Sequence, residues 1–232
     1  MLPFTTFDVL TFDCYGTLID WETGIWQALQ PILVHHGIAM GMDEALERYA
    51  AFESDIERGE YQAYRVVLRL VLEAFGKQHG FTPTPQELQQ FSTSVKDWPA
   101  FADTPGALRA LKTRYKLAIV SNIDDDLFTL SAPRLAVPFD WIITAQQAGS
   151  YKPSAANFHL ALERIGAPQQ AILHVAQSLF HDIAPAQALG MATVWVNRRH
   201  DKPGAGATPP AQARADLEVP DLQTLVDLMG LA

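Results

Sequence analysis

FDVLTFDCYGT, Phe7 to Thr17, decides how the rest of the chain is read. The run from Phe7 to Tyr15 is short, rich in β-branched and aromatic residues, and stops at Gly16. Such a run predicts a buried strand ending in a tight turn. Asp13 stands at its carboxyl end, the edge at which open parallel sheets bind ligands. Working outward, four later runs have the same character: Lys116–Val120 (KLAIV), Trp141–Thr144 (WIIT), Ala171–Val175 (AILHV) and Ala192–Val196 (ATVWV). Helix-like segments separate them. Thr104–Tyr115 carries Pro105 in its first turn and Ala107, Leu108 and Leu111 at helical spacing. Ser154–Ile165 stops at Gly166, and Asp182–Leu189 stops at Gly190. Strands alternating with helices predict right-handed crossovers and a parallel sheet, so the fold class is α/β.

The middle of the chain breaks this alternation. Residues 22–96 carry helical patterns and almost no strand signal, with helices predicted at Gly24–His36, Asp43–Arg58, Tyr61–His79 and Thr84–Val95. The α/β pattern resumes near Trp98-Pro99. The expected organisation is a core formed by residues 1–20 and 98–232, with a helical cap at 21–97 inserted after the first strand. Lys202–Ala215, rich in Pro, Gly and Ala, predicts a surface loop.

Composition narrows the function. The 232 residues carry 26 Asp and Glu against 17 Lys and Arg, a net charge of −9. That balance speaks against nucleic acid as a partner, and more weakly against an anionic membrane surface. Hydrophobic residues at 48% suffice for a buried core and speak against wholesale disorder. Cys14 is the one cysteine, so no intrachain disulfide is possible and a reducing compartment is the default. The opening MLPFTTFDVLTFD has no basic stretch and meets acid at Asp8, the pattern of neither a signal peptide nor a membrane span. A soluble cytoplasmic protein is expected.

Four polar groups sit at the carboxyl ends of successive runs: Asp13, Ser121-Asn122, Lys152 (before Pro153) and Asp182. Each has an ordinary structural role available, as a turn or helix cap or a surface charge. Together they converge on one crevice. Asp124, Asp125 and Asp126 read as acids at a helix N-terminus, favoured by its dipole, and not as a metal site. The seven histidines form no H-E-x-x-H pattern, and no metal site is assigned. His181 is expected at the surface, Cys14, Trp195 and Met191 in the core. Tyr15, Trp21, Trp98 and Phe180 are candidate pocket walls, with core packing the default for each.

On the D-x-x-G-T motif at Asp13–Thr17, Ser121, Lys152-Pro153 and Asp182, the chain resembles the haloacid dehalogenase superfamily over nearly its whole length. The resemblance implies a Rossmann-like core with a helical cap. Phosphatases of that superfamily carry a second Asp two residues after the nucleophile, where this chain has Tyr15. They carry another where it has Gln177. The D-x-Y-G-T form is similar to the L-2-haloacid dehalogenase branch, which implies no metal and no cofactor. By that resemblance Asp13 attacks the carbon next to a substrate carboxylate, and water then hydrolyses the ester. Thr17 and Lys152 would orient Asp13, and Lys152 would lower its pKa. Ser121 would hold the substrate carboxylate, Asn122 would donate to the leaving group, and Asp182 would hold the water. Tyr15, Gln177 and Ser178 would line the substrate site. Arg48, from a cap Arg–Glu spacing shared with Glu53, would complete the cradle. The implied partners are a small carboxylic acid and water, with a homodimer as the family's habit.

The chain departs from that branch at Gln177 and Leu179, where dehalogenases present Ser and Asn, and at Phe158, where they often present Tyr. The segments DCYGTLIDWETGI, TSVKDWPAF, SNIDDD and GSYKPSAANF resemble azetidine-2-carboxylate hydrolase of the same branch, which implies an amine leaving group in place of halide. A Mg²⁺-dependent phosphatase is the alternative of another class.

Overall fold

The computed structural model describes residues 2–231. Its centre is a six-stranded sheet in which every adjacent pair is parallel: β1 (Val9–Phe12), β2 (Lys116–Ser121), β3 (Trp141–Thr144), β4 (Ile172–Ala176), β5 (Ala192–Val196) and β6 (Leu217–Val219). The spatial order is β3-β2-β1-β4-β5-β6. The chain winds outward from β1 in one direction, returns, and winds outward in the other. A crevice therefore opens beyond the carboxyl end of β1, where the winding reverses. β6 was not expected: three residues are too few for a periodicity signal.

The sheet is buried on both faces, so β1 is fully buried along its length. Leu10, Phe12, Leu117, Ile119, Leu173 and Val175 pack into the larger core on one face. Val9, Ala118, Val120 and Ile172 face the other side with Phe158, Ala161 and Ile165. Thr11 and His174, on this second face, are polar and wholly buried.

Between β1 and β2 come α1 (Trp21–His35), α2 (Met42–Glu57), α3 (Tyr64–His79) and α4 (Pro85–Ser92). Their ends are set locally. Asp20 caps α1 by accepting from the Thr23 amide, Gly80 ends α3 at φ 76°, and Thr84 with Glu87 forms a reciprocal capping box on α4. The other helices are α5 (Thr104–Lys112), α6 (Asp125–Ser131), α7 (Ala145–Ala148), α8 (Ala155–Ile165), α9 (Ala184–Ala188) and α10 (Leu222–Leu228). The helix expected at Asp182–Leu189 is interrupted: Leu179–Ile183 forms a π turn and α9 starts only at Ala184. No helix of the described residues is long and apolar enough to cross a membrane.

Asp124 joins the inserted helices to the sheet. It precedes α6 as one of the acids expected at that helix N-terminus, and its side chain makes no cap bond there. It accepts instead from the Tyr61 hydroxyl at 2.5 Å and the Tyr64 amide at 2.7 Å, capturing a free N–H of the first turn of α3. The Tyr151 hydroxyl donates to the Gln62 carbonyl beside it. The Lys202–Ala215 segment has no regular structure, as expected, but it is not wholly at the surface. Ala207 and Thr208 are buried, because Glu22 on α1 accepts from the Ala207 amide. Trp98, on the return to the core, is buried flat against Gly24 of α1. A Cβ at Gly24 would lie 2.2 Å from Trp98 Cγ. Gly24→Ala is therefore expected to destabilise the protein by about 1–3 kcal/mol, as overpacking does. A fall in the urea midpoint, with unchanged slope, would measure it.

Candidate active site

Three strand ends bring the chemistry together. β1 delivers Asp13, whose amide still bonds to the Val175 carbonyl of β4. β2 delivers Ser121 and the Val120 carbonyl. The turn after β4 delivers Asp182. Gly16, at φ 98°, folds the chain back so that Thr17 meets Asp13. The Thr17 hydroxyl accepts from the Gln177 amide at 2.9 Å and so must spend its own proton on Asp13 Oδ2, at 2.6 Å.

Lys152 is 1% exposed. Its ammonium donates to Asp13 Oδ1 at 3.0 Å, the Val120 carbonyl at 2.9 Å and Asp182 Oδ1 at 2.6 Å. All three of its protons are used. Asn122 holds the Lys152 backbone at two points, accepting from its amide at 2.7 Å and donating to its carbonyl at 3.1 Å. Asn122 thus positions Lys152, and its amide nitrogen also lies 3.5 Å from Glu57 Oε2 in the cleft.

Asp182 is held from below as well. His174 Nε2 lies 3.0 Å from Asp182 Oδ1, and His174 Nδ1 lies 2.9 Å from the Thr11 hydroxyl. An ionised carboxylate only accepts, so Nε2 carries the proton. Asp182 Oδ2 is buried and has no partner among the described residues, and the same is true of Ser121 Oγ. Both residues line one small cleft, in which about 30 Å³ is open to the centre of a water-sized sphere.

Burial raises the pKa of Asp13 above its ordinary value, and the charge of Asp182 adds to this, while Lys152 and Thr17 oppose it. The expected lowering by Lys152 is real, but burial outweighs it. For Asp182 burial acts in the same sense and loses to Lys152 and His174, so its pKa is lowered. The pair is thereby split into one readily ionised acid and one reluctant one.

Asp13, Thr17, Lys152 and Asp182 lie in mutual contact, and Tyr15, Ser121, Asn122, Gln177 and Ser178 line the same cleft. Arg48 does not. It pairs with Glu44 at 2.8 Å on the outside of α2. Glu53 faces the cleft, and five residues along a helix rotate a side chain by about 140°, so Arg48 is turned away. His181 was expected at the surface and is instead 8% exposed, in the cleft wall. The π turn draws it inward, and the Ser178 hydroxyl accepts from its amide at 2.8 Å. Burial lowers its pKa to about 4, so the ring is neutral at pH 7. Trp195 is half-exposed, not core, and donates to the Gln177 carbonyl at 2.7 Å. Trp21 walls the cleft, Phe180 lines a neighbouring one, and Trp98 is core.

Sequence reading missed Glu57, Tyr64, Thr208 and His174. A histidine inside the apolar run AILHV was a visible signal, since a buried strand position admits one only with partners. The others left no signal, because their proximity to Asp13 is purely tertiary. Elsewhere, His35 Nδ1 and His36 Nε2 both face Glu87, at 2.8 and 3.1 Å. This group, the one cluster of metal-ligating type among the described residues, ties α1 to α4.

At the crevice of the parallel sheet, a carboxylate is thus oriented by a buried ammonium and a threonine. The model of the haloacid dehalogenase-like hydrolases matches residues 7–190, and the chain belongs to that family. An (S)-2-haloacid dehalogenase of Pseudomonas putida is 27% identical over 199 residues, covering 82% of this chain and 85% of that protein. A second, from Pseudomonas sp. strain YL, is 32% identical over 136 residues, 57% of this chain and 56% of that protein. The L-2-haloacid dehalogenase of Xanthobacter autotrophicus with chloropropionic acid covalently bound superposes with a TM-score of 0.79 at 20% identity, over 97% of this chain and 100% of that one.

Two outcomes are expected. Lys152→Met leaves two buried carboxylates uncompensated and should cost about 3–5 kcal/mol in denaturant unfolding. Glu53, which is 3% exposed, has its pKa raised by burial from 4.5 to about 7. A raised acid holds its proton more tightly when folded, so its stabilising effect is full below about pH 4.5 and is lost as pH rises through about 7. Thermal melts of Glu53→Gln should therefore lack a decline that the unaltered protein shows between those values.

Proposed function

We propose that the protein hydrolyses a bond at a saturated carbon of a small 2-substituted carboxylic acid through an aspartyl ester on Asp13. The observation that supports this best is the Asp13–Lys152–Asp182 triad with one carboxylate oxygen, Asp182 Oδ2, left unpartnered beside the nucleophile. Asp13 displaces the leaving group, which departs with the electron pair of its bond to carbon. Water at Asp182 then adds to the Asp13 carbonyl, giving its proton to Asp182. Lys152 offsets the charge that gathers on the Asp13 oxygen; the C–O bond to Asp13 then breaks, the alcohol takes the proton held by Asp182, and the Asp13 carboxyl loses its proton to solvent to re-form the carboxylate. Holding the reactants in line supplies several kcal/mol. A divalent cation fits these residues poorly. Lys152 already lies between both carboxylates, and the Tyr15 hydroxyl turns away to donate to Ser131 at 2.9 Å.

The leaving group has two readings. Halide, from an (S)-2-haloacid, is what the named relatives release. A strained ring amine, as in azetidine-2-carboxylate, is favoured by the acids on the α2 side of the cleft. Either substrate also needs a group for its carboxylate, and Ser121 Oγ is free for one.

Halide release from L- and D-2-chloropropionate and ring opening of azetidine-2-carboxylate should be assayed with excess EDTA, with Asp13→Asn as blank. Turnover of one L-compound with EDTA present, and none in the blank, is expected. In H₂¹⁸O, multiple turnovers should place ¹⁸O in the Asp13 carboxylate. Product without that label would defeat the ester route. Aryl phosphate hydrolysis abolished by EDTA would place the protein with the metal-dependent phosphatases instead.

A further inference from the structure

The wall of the cleft opposite Asp13 is acidic, and its composition bears on what enters. Glu53 and Glu57 lie one turn apart on α2 and both face the cleft. Glu53 Oε1 accepts from the Tyr49 hydroxyl at 2.8 Å and from the Tyr64 hydroxyl at 2.6 Å. Those two hydroxyls are 2.8 Å apart, so they brace the carboxylate from one side. Glu53 Oε2 has no hydrogen-bond partner among the described residues. Glu57 Oε2 accepts from the Asn122 side-chain amide at 3.5 Å.

Among the described residues, neither acid has an ion-pair partner. Lys152 is the one cationic side chain of the cleft wall among the described residues, and its three protons are spent. Arg48 is tied to Glu44 and Arg58 to Asp55, both outside. Two buried polar atoms of residues lining the same cleft, Ser121 Oγ and Asp182 Oδ2, have no partner among the described residues. Burial raises the pKa of Glu53, and burial together with the charge of Glu53 raises that of Glu57, against a lowering by Lys152. A substrate whose only charge is a carboxylate adds a further anion and relieves none of this. A positively charged nitrogen supplies the missing partner.

We propose that Glu53 and Glu57 form a recognition site for an ammonium group of the substrate, so that the protein acts on small amines or amino acids and discriminates against plain carboxylic acids. This rests on Asp13 as the nucleophile that the bound carbon faces. The braced Glu53 fixes the nitrogen, Glu57 closes over it from the next turn, and the attacked carbon is left towards Asp13. The cation also strengthens ionisation of both glutamates, which the empty cleft opposes.

Isothermal titration of the full chain with propylammonium, L-2-aminobutyrate and butyrate tests the proposal with unreactive probes. The two aminated probes should bind at least about tenfold more tightly than butyrate, since truncating one side of a buried charge pair costs that much or more. Glu53→Gln and Glu57→Gln should each remove that preference without weakening butyrate. Glu57 is only half-buried, so its variant keeps the test alive if Glu53→Gln misfolds. Butyrate binding as tightly as the aminated probes would overturn the proposal. So would a preference that survives in Glu57→Gln and, where it folds, in Glu53→Gln. The ¹⁸O label on Asp13 reports separately: amine selectivity without label would leave the recognition site standing and remove the nucleophile.

Discussion

Lys152 carries a positive charge into a place where water cannot follow, and the rest of the site is arranged around that constraint. An ammonium buried this deeply must spend each N–H on a good acceptor. It finds them on three strands, in Asp13 after β1, the Val120 carbonyl on β2 and Asp182 after β4. The parallel register places those ends side by side, with Phe12 opposite both Ile119 and Val175. Asn122 then fixes the backbone that carries the lysine. A slip of one residue in any of the three strands would turn its polar end into the apolar core.

The ammonium also divides labour between the two acids. Both are buried, and one positive charge cannot satisfy both equally. Asp182 takes the shorter bond and a second donor from His174, which a buried Thr11 orients in turn. Asp13 keeps the longer bond and a threonine, and remains the harder of the two to ionise. A weakly solvated carboxylate with a cation at one oxygen is well suited to attack carbon. A firmly ionised one with a free oxygen is suited to hold water. The same low dielectric acts on the α2 face of the cleft, where Glu53 and Glu57 have tyrosines and an amide near them but no ion pair among the described residues. Asp124 makes this face part of the site, because its bonds to Tyr61 and Tyr64 hold the start of α3 against the end of β2.

Much of this was legible from residue order alone. β3 and β5 fall where the apolar runs WIIT and ATVWV lie, and α8 ends at Ile165 before Gly166, as the helical pattern indicates. Asp13, Lys152 and Asp182 were legible because each is a polar residue at the end of an apolar run, where burial demands a reason. Arg48 misled for a geometric cause: a spacing shared with Glu53 says nothing of which side of α2 faces the sheet. His181 misled because a single π turn shifts the residues after β4 inward, and local hydropathy does not record it. Thr208 lay in a segment whose composition describes its flexibility of sequence, not the Glu22 contact that pulls it in.

The sequence by itself determined the parallel sheet, the helical insertion after the first strand and the three charged residues at its crevice. These follow from hydropathy period, glycine and proline stops and chain order, all of which act over a few residues at a time. How those charges share protons, which hydroxyl is unpartnered, and that Glu53 and Glu57 line the cleft without an ion pair among the described residues are matters of tertiary packing. Desolvation and pairing depend on what lies within a few ångströms in space, and residues as distant in the chain as Asp13, Glu53, Lys152 and Asp182 become neighbours only when the fold is complete.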